Sequence, residues 1–253
     1  MPHNVFRNSM GLFSTRSFGT FWWASLLSNV GTWAQQVAQP WLLLSLGASP
    51  ILIGLDSFAM SAPVWVLTLA GGMLADHADR RRVIVGFQSV QMLCPILIVI
   101  LLLAGTVRPW MIILLSLVVG VTDALSMPSF SSIIPSIVEH EQIAAALALN
   151  STQFNISRIA GPALAGILMS TVGSIGCFVV SALSYLPFIG VALVILPRSK
   201  PTRTTSDSHD LRHSYSGLRT LARSPTMRDA LLTTLFSSIL CAPIVTFCPV
   251  LVK

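Results

Sequence analysis

Arg158 is the residue of this chain best placed to do chemistry. It lies fifteen residues into an apolar run expected over 143–172, and Asn150, Gln153, Asn155 and Ser157 precede it. Asp56 and Asp123 sit in similar surroundings, and Asp76 closes another apolar run. A charge inside hydrocarbon must face protein or water and find acceptors or donors, so such groups point to the binding or relay of ions and polar molecules. They do not assemble an enzyme: the chain holds no HExxH, no GxSxG, no P-loop and no paired intramembrane carboxylates. The missing P-loop also argues against direct drive by ATP. Cys94, Cys177, Cys241 and Cys248 stand singly in apolar runs, so neither a metal site nor a disulfide framework is implied, and no cofactor is expected.

The elements that position these groups follow from composition. The chain has 253 residues, 53% hydrophobic and 9% charged, with a mean hydropathy of +0.77. Soluble domains carry about 25% charged residues, so this is an all-α polytopic membrane protein. The net charge of +6 reports loop topology, and no nucleic-acid partner is expected. A bilayer core of roughly 30 Å needs about 20 apolar helical residues to cross. Six runs qualify within 17–196, expected as helices over 17–46, 51–75, 83–104, 109–131, 143–172 and 175–196. Residues 1–16 form a polar N-terminal segment, and the first apolar run is too long and lacks the small-residue site of a cleavable signal peptide. The stretch 197–228 is Ser/Thr-rich and basic, a linker, and a seventh apolar run occupies 229–253. The glycosylation patterns at Asn150 and Asn155 fall inside a span and are discounted.

Twelve of the fifteen Lys and Arg residues fall in the N-terminal segment, in the connection at Arg80, Arg81 and Arg82, or in 197–228. Only Arg108 and Lys253 fall on the opposite side. The excess of bases on one face places that face, and the N-terminus, in the cytoplasm. In the first helix Asn29, Thr32, Gln35, Gln36 and Gln39 interrupt the apolar pattern. Unsatisfied amides facing lipid are costly. Gln35 and Gln39 are four apart and share a face, so they are expected to line a protein interior or wet cavity. Asp56, near the outer end of its helix, reads as an interfacial carboxylate.

The connection Gly72-Met73-Leu74-Ala75-Asp76-His77-Ala78-Asp79-Arg80-Arg81-Arg82 resembles the G-x-L-A-D-R-x-G-R-R loop of the major facilitator superfamily, matching at Gly72, Leu74, Ala75, Asp76, Arg80 and Arg81. His77 replaces the usual base and Asp79 the usual glycine. The run Gly161-Pro162-Ala163-Leu164-Ala165-Gly166 resembles the GPxxGG motif of the exporter (antiporter) branch, with Ala165 replacing one glycine; read alone, it is also a generic kink. With residues 28–40, Met127-Pro128 and 150–166, the chain is similar to the transmembrane-secretion-effector branch over 17–250. The likeness implies the six-helix N-terminal bundle of the major facilitator fold, built as two inverted three-helix repeats, plus a seventh helix that starts a second half. It implies a multi-pass protein of the cytoplasmic membrane. The implied function is secondary active efflux of a small molecule such as a drug or siderophore, by alternating access with ion coupling. Partners are then the lipid bilayer, the substrate and the C-terminal half of the same transporter, since the chain reads as a fragment. A non-transporting half-length membrane protein or a decayed gene product is the alternative.

By the same likeness Asp76 and Arg80 belong to a cytoplasmic gate with Asp79, Arg81 and Arg82; the bland reading is a solvated loop that only sets orientation. Asp79 is suited to cap the third helix, and Gly72 to let helices approach closely. Arg158 either lines the cavity, with Asn150 below it, or cross-links helices. Asp123 lies about 21 Å from the outer end of its helix, and Arg158 about 22 Å from the inner end of its own. That leaves about 13 Å between them in a core of roughly 30 Å. A direct pair is excluded, and Asp123 is expected at the inner gate near Arg80–Arg82.

Overall fold

The computed structural model describes residue 12, residues 15–196 and residue 233, and every regular element among them is helical. The rest of the N-terminal segment, the linker and, apart from Thr233, the seventh span lie outside the described residues, as do the side chains of Asp76 and His77. Six long helices follow one another: α1 (Arg16–Ser45), α2 (Pro50–His77), α3 (Arg80–Leu103), α4 (Pro109–Ile137), α5 (Ile143–Thr171) and α6 (Ser174–Ile195). A 3₁₀ turn, His140–Gln142, joins α4 to α5.

Local chemistry sets their ends. Pro50 and Pro109 occupy first helical positions, where a missing N–H and a preset φ suit a helix start. Gly47, Gly105 and Gly173, beyond the ends of α1, α3 and α5, have φ of 75°, 66° and 75°, a conformation that a β-carbon penalises. Asp79 caps α3 by accepting from the Arg81 backbone N–H at 3.1 Å, as its position suggests. Asp79→Ala is expected to lower stability by about 1 kcal/mol, read from thermal unfolding in detergent.

The observed helix ends lie within about three residues of those expected, except that α4 runs on to Ile137 rather than 131. Pro128 and Pro135 both sit inside it. In a bundle, neighbouring helices satisfy the backbone that a proline frees, so proline does not end a membrane helix as it would one in water. Every one of the six helices carries an interior proline: Pro40, Pro63, Pro95, Pro128, Pro162 and Pro187 among them.

The principal packing pairs are α2 with α4, α1 with α5 and with α6, and α3 with α4 and with α6. This pattern maps onto itself when α1, α2 and α3 are exchanged for α4, α5 and α6. At the end formed by the starts of α1 and α3 and the ends of α4 and α6, Phe18, Phe21, Trp22, Ile84, Ile133 and Phe188 form an apolar core. Phe188 packs on Phe21 (centroids 5.9 Å apart) and on Phe130 (5.4 Å). The outer surface carries exposed Trp65, Val66, Ile159 and Val194, as a bundle in lipid requires. By length and composition α2, α3, α4 and α6 are apolar enough to cross a membrane. The helices α1 and α5 are as long, but polar residues dilute them, and these two pack against each other.

Candidate functional site

Arg158 of α5 meets Trp33 of α1 halfway along both helices. The Arg158 guanidinium lies over the Trp33 ring, 5.4 Å from its centroid, and Phe154 meets the same ring edge-on at 5.8 Å. Gly161 makes this possible. An added β-carbon there would come within 2.4 Å of Trp33 Cβ and 3.1 Å of the Ala34 nitrogen, so only glycine lets α5 rest on α1. The buried face of α5 is Ala146, Gln153, Ser157, Gly161 and Ala165, with Ser157 turned to the Leu26 carbonyl. Arg158 lies beside that face and is exposed. Its polar neighbours are occupied: the Asn155 amide donates to the Ser151 carbonyl at 2.8 Å and the Thr152 hydroxyl to Ala148 at 2.9 Å. Asn150 is half-buried. No carboxylate pairs with Arg158 among the described residues, leaving a fixed cation with free donors at mid-depth. Pro162 lies inside α5, whereas Gly166 has no neighbour within 4 Å of an added β-carbon.

The α2–α3 connection ties three helix ends together. Arg80 donates to the Ser132 carbonyl of α4 at 3.5 Å, and Arg81 to the Leu193 carbonyl of α6. Arg82 pairs with Asp79 at 3.8 Å. Cations at the carboxyl ends of α4 and α6 also meet the negative pole of each helix. The expected close approach falls on Gly71, not Gly72. A β-carbon on Gly71 would lie 2.5 Å from the Ala124 carbonyl oxygen of α4, while Gly72 faces open space. The Gly71 position follows from the helical turn, because adjacent residues point about 100° apart.

Asp123 is not at the inner gate. Its Oδ1 accepts from Gln91 of α3 at 2.6 Å, and the same amide donates to Thr122 at 3.1 Å. Gln91 is eleven residues from Arg80, about 16 Å along the helix. A neutral amide, chosen by the α3–α4 packing, satisfies the carboxylate in place of the arginines. As expected, Asp123 and Arg158 form no pair.

At the opposite end Gln39 faces the protein interior, one of the two settings expected of it, but Asp56 is not interfacial: they are 8% and 5% exposed. The Gln39 amide donates to Asp56 Oδ2 at 2.7 Å and to Ser116 Oγ at 2.7 Å. Ser116, 4% exposed, lies 2.6 Å from Asp56 Oδ1. Ser116 gave no signal by itself, but Gln39, Asp56 and Ser116 lie six or seven residues from Ser45, Pro50 and Pro109. Equal depth on helices that turn at one end was the usable clue. Gln35 instead accepts from Ser181 of α6 at 2.6 Å, so the two glutamines serve different partners.

A polytopic α-bundle that buries polar clusters between its helices and, among the described residues, leaves a mid-helix arginine without an ion pair has the build of a membrane transporter's wall. The chain belongs to the transmembrane secretion effector family, whose model matches residues 8–253. It is 25% identical over 189 residues to the staphyloferrin A transporter of Staphylococcus aureus, covering 74% of this chain and 47% of that protein. It is 22% identical over 208 residues to macrolide efflux protein A of Streptococcus pyogenes (82% and 51%). Against the multidrug efflux pump Tap of Mycolicibacterium fortuitum the identity is 24% over 227 residues (87% and 56%). The chain spans about half the length of the curated relatives it matches.

Proposed function

We propose that this chain supplies the first six-helix bundle of a secondary active exporter that moves a small polar or anionic molecule across the cytoplasmic membrane by alternating access. The unpaired Arg158, held at mid-depth by Trp33, carries this reading. A buried cation that only joined helices would be matched to a carboxylate within the bundle. One left free on an exposed face suits a charge that arrives and leaves. The exchange symmetry of the packing supports two inverted three-helix repeats, α1–α3 and α4–α6. Such a bundle offers one wall of a central site, and a second bundle offers the other. Relatives named for staphyloferrin A, macrolides and multiple drugs support export of a small molecule, and the proposed driving force is an ion gradient. The α2–α3 connection, tied to the ends of α4 and α6, then serves as a gate on the cytoplasmic face, with Asp76 and Arg80 in it.

Two measurements test this. Reporter fusions at Ala78 and Arg203 should both read cytoplasmic, and fusions at Thr106 and Gly173 external; Ala78 and Arg203 on opposite sides would refute the topology. Expression of the complete reading frame in a host stripped of its exporters should lower accumulation of at least one compound in a panel of macrolides, dyes and citrate-type siderophores. Unchanged accumulation across the panel, with the protein present in the membrane, would refute export.

A further inference from the structure

We propose that Gln39, Asp56 and Ser116 form a proton-exchange site, in which rotation of one hydroxyl keeps Asp56 hydrogen-bonded whether it holds or has released a proton. The hydrogen bonds among the three side chains can be assigned. The two amide hydrogens of Gln39 go to Asp56 Oδ2 and Ser116 Oγ, each at 2.7 Å. Ser116 Oγ has one hydrogen but two acceptors in reach, Asp56 Oδ1 at 2.6 Å and the Ile112 carbonyl at 3.1 Å. With a proton on Oδ1, the carboxyl donates to Ser116 Oγ, and the serine hydrogen points to Ile112. On release, the O–H bond of the carboxyl breaks and its electron pair stays on Oδ1. The proton passes to water at the nearby loop end, and the serine hydrogen swings from Ile112 to Oδ1. Gln39 keeps both its bonds throughout. Each state keeps Asp56 and Ser116 hydrogen-bonded, so the cluster does not force Asp56 into one form, as an arginine partner would.

The surroundings hold no competing charge nearby. Along α1 from Asn29 to Ser45, and along α4 from Pro109 to Ser116, no residue ionises. On α2, Asp56 is the first ionisable residue, with Asp76 and His77 twenty residues further on. Arg108, exposed before α4, is eight residues from Ser116, about 12 Å along the chain's helix direction, and Asp123 is seven residues the other way, about 10 Å. The cluster lies about 9 Å from the loop end of α2, close enough for exchange with water there when the helices part. It joins α1 and α2 to α4, that is, both three-helix sets, so proton occupancy and the seating of those helices are linked. Use of the proton in transport rests on the exporter reading; its binding does not.

Infrared difference spectroscopy of the purified chain in detergent, recorded across pH, tests the site. A carbonyl-stretch band of a protonated carboxyl should give way to carboxylate bands, and Asp56→Asn should lose that component. Ser116→Ala should move its midpoint by about one pH unit, while Ser116→Thr, which keeps the hydroxyl, should restore it. A full band in Asp56→Asn would overturn the proposal, as would Ser116→Ala and Ser116→Thr titrating alike; the serine pair decides if Asp56→Asn does not fold. Failure of the two readings is separable. A titrating Asp56 in a complete protein that exports nothing would remove only the exporter, and an active exporter with a silent Asp56 would remove only the proton site.

Discussion

Alanine at Gly120 is expected to destabilise the bundle by about 3 kcal/mol, the upper end of the usual range for overpacking. Its β-carbon would lie 2.3 Å from the Met60 carbonyl oxygen and 3.0 Å from that of Ala59. These are backbone atoms of α2, so no rotamer change relieves the clash and the α2–α4 pair must separate. The Ala59 carbonyl is also the one that Pro63, four residues on, leaves without its helical donor. The reciprocal arrangement occurs further along the same helix pair. Pro128 of α4 frees the Ala124 carbonyl, and that oxygen lies 2.5 Å from where a β-carbon on Gly71 of α2 would be. Each helix thus sets a freed carbonyl against a glycine of the other, where a Cα–H can approach it. Gly71→Ala should therefore behave like Gly120→Ala. Gly72→Ala has nothing within 4 Å and should be neutral or stabilising by up to about 1 kcal/mol, from the loss of glycine's flexibility in the unfolded chain. Unfolding of the three variants by SDS titration in mixed micelles would decide. Equal stability of Gly71→Ala and Gly72→Ala would refute the proposed crossing.

The contrast between Gly71 and Gly72 shows what sequence could and could not carry. Hydropathy set the six helices because bilayer thickness and backbone satisfaction leave a spanning apolar run few alternatives. The Asp79 cap was legible for a similar reason, since it depends on residues two apart. Which face of each helix meets which neighbour depends on rotation about an axis, and a glycine one position along points elsewhere. Asp123 fails in the same way. Its depth was readable, but its partner Gln91 is a neutral residue on another helix, and charge matching pointed to the arginines instead. Asp56 looked interfacial because it is six residues from a helix start. It is buried because Gln39 and Ser116 happen to stand at the same level, a fact of packing between α1, α2 and α4. Arg158 was legible because an arginine fifteen residues into a span is conspicuous wherever its helix turns.

Arg158→Ala in the complete transporter should lower kcat/KM for an anionic substrate by at least about 10-fold, equivalent to about 1.4 kcal/mol, and should spare a neutral one. The distinction matters because Arg158 makes no ion pair among the described residues, so its removal strands no buried carboxylate and folding should survive. What holds the guanidinium is Trp33, in turn braced by Phe154 and by the close seat of Gly161. Trp33→Leu should therefore reproduce part of the loss by freeing the cation to wander, although it removes no charge. Arg158→Lys should fall between wild type and alanine: it keeps the charge but gives up the planar stack and the fork of donors that suit a carboxylate or phosphate. A helix-joining arginine predicts a different order. Both Arg158 variants would then lose protein from the membrane, neutral and anionic substrates would suffer alike, and Trp33→Leu would matter only through stability. Initial rates for matched anionic and neutral substrates, normalised to protein in the membrane, separate the two outcomes, and unchanged anionic transport in Arg158→Ala would end the role assigned to this residue.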